Sequence, residues 1–414
     1  MARISKQRAC IACTSAKRRC DRTLPGCTRC LDKDMDCMYP PINRRHGRQE
    51  QRQTRDGLSW PTTSAAATAS GFPTATAAAT PSSHTTSTRF ISSAGSLGLA
   101  RASWFLTPAT WSITQLDGPL NTVPVFVFTN FIRGLQDWLT RFLRYGHNPF
   151  IHRGLYAEAP FPRCMQDAYA SIAIARSVTP QNENPVYDIL STYVSDLVDS
   201  QSQPALDSFF SAPLLSTREH LARTQALLIH LILTLFSPSI PGRAKAEALI
   251  PTLHLWSQQL WDSALLDANI ASLSPSSSSH LSTDMAADAE TGMMARIYRA
   301  FALSESTRRT WLLAKYMIGT YQVLKNGSTS CEGGIFFTAR AELWDAPSAA
   351  RWESILKSTD PLFIHSLHAD AVIHNRVPAA EVDEFVRHLL TAQCGVEKVE
   401  SWGIETGNMI SVLF

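Results

Sequence analysis

The chain has 414 residues, 44% of them hydrophobic, with 38 Lys and Arg against 35 Asp and Glu for a formal net charge of +3. That near balance hides a division: fourteen of the basic residues and five of the acids fall between Met1 and Arg55, net +9, which leaves 24 against 30, net −6, for positions 56–414. A basic head on an acidic body points to a polyanion partner for the head alone.

Six of the nine cysteines lie in the first 37 residues, as Cys10-x2-Cys13-x6-Cys20 and then, in the same spacing, Cys27-x2-Cys30-x6-Cys37. Each half brings three thiolates close enough to grip one metal ion. Zinc held by thiolates is four-coordinate, so two such halves can fill two ions only if two of the six cysteines are shared. No apolar signal segment precedes Cys10, so a disulfide framework made in an oxidising compartment is not expected. Two copies of Cys-x-x-Cys, each with a third cysteine at fixed spacing, argue against a redox site. A structural zinc knot that binds protein or RNA is a further reading of the same spacing.

With Ala9-Cys10-Ile11-Ala12-Cys13, Lys17-Arg18-Arg19-Cys20, Pro25-Gly26-Cys27-Thr28-Arg29-Cys30 and Cys37-Met38-Tyr39-Pro40, the segment resembles the fungal zinc binuclear cluster (Zn2Cys6) transcription factors. The resemblance implies two zinc ions per chain, with Cys10 and Cys27 bridging, Cys13 and Cys20 completing one ion, and Cys30 and Cys37 completing the other. It also implies a short helix over Thr14 to Arg19 entering the major groove of double-stranded DNA, where Lys17 reads guanine in a CGG-like triplet. Lys6, Arg8, Arg18, Arg19 and Arg22 would hold phosphates, and Arg44, Arg45 and Arg48 would continue that track or serve nuclear import. By the same resemblance the protein acts in the nucleus with the transcription machinery or co-activators. Thr14 and Ala16 depart from the family, which often carries basic residues there, and so reduce the positive charge of the reading helix.

After the cluster, residues 41–59 contain only Ile42 and Leu58 as aliphatic residues. No a/d seam exists, so no coiled coil follows the cluster; a monomer on one triplet, or a dimer formed by the body, fits better. Residues 60 to about 100 are rich in Ser, Thr and Ala and poor in large aliphatics, a composition that cannot bury a core. The expected organisation is a Zn2Cys6 DNA-binding domain at 1–40, a linker at 41–118, basic and then Ser/Thr/Ala-rich and largely disordered, and an all-α regulatory domain at 119–414.

In the body, Phe131, Leu135, Trp138, Leu139 and Phe142 fall on one helical face, closed by Gly146. Val186, Leu190, Tyr193, Val194 and Leu197 repeat the spacing after Pro185. Ser216-Thr217-Arg218-Glu219 carries a capping-box signature and leads into the apolar run Leu227–Phe236. Ten residues reach about 15 Å against a bilayer core of about 30 Å, so this is a buried helix and no membrane partner is expected. Leu249, Leu253, Trp256 and Leu260 mark another helix, a serine-rich loop covers 272–283, and further helices are predicted near 290–320, 348–357 and 379–393. No strand alternation is sustained, and nearly 300 residues suffice for a large core.

Glu305-Ser306-Thr307-Arg308-Arg309-Thr310 and Gly334–Arg340 with Leu343-Trp344 look like segments of regulators linked to secondary-metabolite gene clusters. The plainer expectation for Glu305, Arg308 and Arg309 is helix-surface pairing worth a few tenths of a kcal/mol. The tail from Val396 mixes acids with Trp402, Ile404 and Ile410, and is expected to dock on the core rather than serve as an activation segment. No Gly-rich phosphate loop, Gly-x-Ser-x-Gly or His-Glu-x-x-His is present, and His147, His152, His365, His368, Cys164, Cys331 and Cys394 are expected to be structural or surface residues. The sequence therefore describes a non-enzymatic, sequence-specific regulator that activates RNA polymerase II transcription of a fungal secondary-metabolite biosynthetic gene cluster. A zinc-dependent protein-interaction module without DNA specificity, and a helical enzyme with an appended zinc module, are the alternatives.

Overall fold

The computed structural model describes residues 11–16, 18–21, 27–33, 104–115, 124–157, 160–202, 215–273, 286–408 and 411–413. The chain divides into two compact units, Met1–Thr88 and Arg89–Phe414. In the first, two short helices are described, α1 (Ile11–Ser15) and α2 (Thr28–Leu31).

The second unit is helical. Its first long helix, α3 (Val125–Tyr145), buries Phe131, Leu135, Trp138, Leu139 and Phe142, and Gly146 ends it in the left-handed region at φ 73°, donating its N–H to the Phe142 carbonyl at 2.9 Å. A glycine takes that conformation without steric cost. Next come α4 (Arg163–Ala175) and α5 (Glu183–Ser202); α5 admits Pro185 because the first turn has no intrahelical partner for its missing N–H. At the start of α6 (Thr217–Leu235), Glu219 donates its N–H to Ser216 Oγ and accepts from the Ser216 N–H at 2.8 Å, a complete capping box. Nearly every described side chain of α6 is buried, so it has no solvent face and sits at the centre of the fold.

Around it lie α7 (Ile240–Ala248), α8 (Ile250–Leu273) and the 41-residue α9 (Ala286–Asn326), the last about 60 Å long. The C-terminal third folds as β1 (Phe336–Thr338), α10 (Ala341–Asp345), α11 (Ala349–Ser358), β2 (Phe363–His365), α12 (Ala371–His374), α13 (Glu384–Cys394) and α14 (Val396–Glu405). The all-α expectation is corrected here: β1 and β2 form a two-stranded antiparallel sheet, Phe336 opposite His365 and Thr338 opposite Phe363. Three-residue strands are too short to show alternation in sequence. Residues 379–383, expected to be helical, precede α13 instead, because Asp383 caps it by accepting from the Val386 N–H at 2.9 Å.

Residues 104–115 fall within the stretch assigned to the linker, yet they form two 3-10 turns, Trp104–Leu106 and Pro108–Trp111, with Phe105 and Trp111 buried. The Trp111 ring lies 5.0 Å from Trp261 of α8, whose indole N–H donates to the Trp111 carbonyl at 2.9 Å. The rest of the expected linker, like the serine-rich loop at 274–283, lies outside the described residues. The C-terminal tail docks as expected: Val399 and Trp402 are buried, and Asn130 of α3 donates to the Val412 carbonyl at 3.0 Å.

Three core histidines set a pH limit. Burial pushes His152 down to about 3, and His230 and His388 down to about 4. They stay neutral in the fold, so as pH falls below about 6.5 the unfolded chain takes up protons first and stability is lost. Asp383, raised to about 6 by burial, acts in the opposite sense between about pH 6 and 4. Three groups against one predict a net loss of about 2–3 kcal/mol per pH unit near pH 5. Urea midpoints of the whole chain at pH 7 and pH 5 check this; equal or greater stability at pH 5 would refute it.

Candidate metal centre and nucleic-acid interface

Cys13 sits in α1, Cys27 immediately precedes α2 and Cys30 lies within it; all three are fully buried, and Cys20 is partly so. Burying several thiols in so small a unit needs a reason, and their geometry supplies it. The Sγ atoms of Cys13, Cys20 and Cys27 all lie within 4.8 Å of one another, and those of Cys13 and Cys27 are 3.6 Å apart. Zinc–sulfur bonds of about 2.3 Å in a tetrahedron separate the sulfurs by about 3.8 Å. The three thiols therefore fit three corners of one zinc site, and among the described residues no other group of His, Cys, Asp and Glu side chains does so. They are three of the four cysteines that the resemblance assigns to a single ion; the fourth, Cys10, lies outside the described residues, as does Cys37.

Beyond the Cys13–Cys27 approach, hydrogen bonds among the described residues join the halves of the repeat. Cys27, at the N-cap of α2, makes no side-chain cap; Asp21 of the first half does this work, accepting the Thr28 N–H at 3.2 Å and the Thr28 hydroxyl. An acid there also meets the positive end of the helix. In the other direction, Arg29 Nη1 donates to Cys13 Sγ at 3.6 Å, placing a guanidinium beside a sulfur that carries negative charge when metallated. Sequence reading counted Arg29 only as part of the head's charge, and its position between Cys27 and Cys30 was the signal available.

Arg18 and Arg19 follow α1 with exposed side chains, and the Arg18 N–H donates to the Cys13 carbonyl at 3.0 Å, so the helix expected over Thr14 to Arg19 lies earlier, at Ile11–Ser15. Lys6, Arg8, Lys17, Arg22, Arg44 and Arg45 lie outside the described residues.

In the second unit, the run Ser304–Thr310 in α9 is buried throughout, with Glu305, Arg308 and Arg309 fully enclosed. This corrects the surface-pair expectation. Arg309 pairs with Asp383 and with Glu305 at 3.4 Å, donates to the carbonyls of Pro149 at 2.8 Å and Thr338 at 3.1 Å, and lies 3.7 Å from the centre of the Trp344 ring. Glu305 also accepts the Thr338 N–H at 2.9 Å. Arg308 donates to the carbonyls of Phe105 at 2.9 Å, Thr110 at 2.8 Å and Phe336 at 2.7 Å, and to the Thr110 hydroxyl at 3.0 Å. Burial lowers Arg308 only to about 10, so it stays charged at neutral pH. His152, next to this network, packs against Trp344 at 4.9 Å and accepts the Gly154 N–H on Nδ1 at 3.0 Å. These residues organise backbone.

Residues 8–46 match the family model of the fungal Zn(2)-Cys(6) binuclear cluster domain. The head is therefore a zinc binuclear cluster domain, a class that binds two zinc ions, and Cys13, Cys20 and Cys27 present donors suited to one of them. Along 89% of its length the chain is 27% identical to transcription factor gsfR2 of Penicillium aethiopicum, covering 88% of that protein. It is also 30% identical over 141 residues to the depudecin biosynthesis cluster-specific transcription activator DEP6 of Fusarium langsethiae, a match that spans 31% of this chain and 23% of the relative. No solved structure matches.

Proposed function

We propose that this chain is a nuclear, sequence-specific DNA-binding regulator that activates RNA polymerase II transcription of a fungal secondary-metabolite gene cluster. The cage of Cys13, Cys20 and Cys27, within a segment matching the binuclear cluster domain, carries the reading. Residues 1–40 form the DNA-reading module, the stretch from 41 to 103 connects it, and the body, which the turns from Trp104 to Trp111 join, regulates it. Cys10 and Cys27 bridge two ions, Cys13 and Cys20 complete one, and Cys30 and Cys37 the other; the ions supply folding free energy and no reaction chemistry. Lys17 reads guanine in CGG-like triplets, while Lys6, Arg8, Arg18, Arg19, Arg22, Arg44 and Arg45 hold phosphates. A match to a biosynthesis cluster-specific activator supports activation over repression.

Unbiased binding-site selection with the whole chain, in zinc and again with chelator, tests this. Enrichment of CGG-containing sites that chelation abolishes is expected; two bound ions with no enriched sequence would favour a protein-interaction module. Lys17→Ala should cut the preference for CGG over a scrambled site by about 1–3 kcal/mol. Arg45→Ala should instead weaken all duplexes alike and lower the salt slope by about 1, and a sequence-selective loss there would remove Arg45 from the phosphate track.

A further inference from the structure

Where α3 ends and α4 begins, the second unit holds a cavity of about 540 Å³ that opens to solvent. That is within the range of small-molecule sites, roughly 300–1,000 Å³. Its walls are rings: Phe142 from α3, Tyr156 from the loop between the helices, Phe161 just before α4 and Tyr169 within it. They brace one another edge to face, Phe142 with Tyr169 at 5.7 Å and Tyr156 with Phe161 at 5.4 Å, so the walls are packed in place before any ligand arrives.

The polar tips of these rings are engaged elsewhere. Tyr156 donates its hydroxyl to Gln225 Oε1 at 2.7 Å, and Tyr169 donates to the Leu143 carbonyl at 2.5 Å. Gln166, at the rim, donates its amide to the Phe161 carbonyl at 2.7 Å. What the cavity offers is ring surface. Among the described residues of the lining one side chain is charged, Arg153, which is exposed and forms no ion pair with another described residue. Its charge is felt around it: Arg153 contributes to the lowering of His147 after burial, and to that of His152 after burial and Arg309.

Aromatic walls select a flat ring system, because offset and edge-to-face contacts require planar partners. An unpaired guanidinium at the mouth selects an anion, and its fork matches a carboxylate in two bonds. From this combination we infer that the cavity is a binding site for a small planar aromatic acid, two or three fused rings bearing one carboxylate, with the rings among Phe161, Tyr169 and the exposed ring of Tyr145, and the carboxylate on Arg153. The inference goes beyond DNA reading and does not depend on it.

Isothermal titration of the zinc-loaded whole chain with 2-naphthoic acid, with its neutral amide, and with inorganic phosphate tests the site without reading DNA binding, so failure here leaves the proposed regulator role untouched. The acid should bind saturably at one site per chain and phosphate should not compete with it. Arg153→Gln should weaken the acid about ten-fold, the loss of one charge-assisted contact, and leave the amide unchanged. Arg153→Lys should restore part of the affinity, and Ala157→Trp, at the lining, should weaken both ligands. Because Arg153 and Ala157 are exposed, unchanged thermal unfolding is expected for all three variants. No saturable binding to the wild type, acid binding indifferent to Arg153→Gln, or phosphate competing on equal terms would overturn the assignment.

Discussion

Arg309→Met is expected to destabilise the second unit by about 3–5 kcal/mol, the range seen when one partner of a buried ion pair is removed. The size follows from what stays behind. Met fills much of the volume and keeps the contact with Trp344, but Glu305 and Asp383 would be two enclosed carboxylates without their cation, and the carbonyls of Pro149 and Thr338 would lose a donor. Against typical net stabilities of 5–15 kcal/mol, such a loss is enough to threaten folding at physiological temperature. Urea unfolding of the whole chain, followed by tryptophan signal, measures it. The double variant Arg309→Met with Asp383→Asn should recover part of the loss, since it removes one stranded charge. A deficit under 1 kcal/mol for the single variant would mean that Arg309 is solvated and that the network is not closed.

Cys27→Ala should have the larger effect on the head. If Cys27 is shared between the two ions, its loss strips a ligand from both, and each structural zinc contributes on the order of 10–16 kcal/mol to folding in small zinc domains. Metal counting after dialysis should find fewer than one zinc per chain and no CGG-selective binding. On the same assignment Cys30→Ala would remove a ligand of one ion only, and it should retain more metal than Cys27→Ala. Two ions retained by Cys27→Ala would rule out its bridging role, and equal retention by the two variants would argue for a different pairing.

Much of this architecture was legible in sequence wherever one local rule governed a segment. Phe131, Leu135, Trp138, Leu139 and Phe142 announced α3 because their spacing matches the helical period, and Gly146 announced its end because few other residues take a positive φ there. Ser216 and Glu219 marked the start of α6 because that cap is a four-residue affair. The grouping of Cys13, Cys20 and Cys27 was legible for a like reason, because short, repeated spacings bring these thiols together. What sequence reading misplaced depends on contacts between distant segments. Polar residues were assigned to the surface, so Glu305, Arg308 and Arg309 were read as surface pairs. The available signal was the flanks: Phe301 and Ala302 on one side and Trp311 to Ala314 on the other are buried, and the eight residues between two such stretches of one helix are drawn inside with them. The strands were missed because Phe336 and Phe363 stack at 5.5 Å across 27 positions of sequence. Likewise, Phe105 and Trp111 are large aromatics in a stretch expected to be linker, and they are buried against Phe301 and Trp261, far away in sequence.

The four hydrogen bonds from Arg308 to Phe105, Thr110 and Phe336 have a mechanical meaning. Three of the four reach Phe105 and Thr110, which come before α3, so a pull on residue 104 meets this guanidinium on the unit's longest helix, and the Trp261 bond to the Trp111 carbonyl, before it meets α3. The load is shared by several bonds in parallel and passes into α9, while α3, which carries much of the hydrophobic core, is shielded from it. Arg308 thus serves as a strain relief, in the way a clamp on a cable protects the joint behind it.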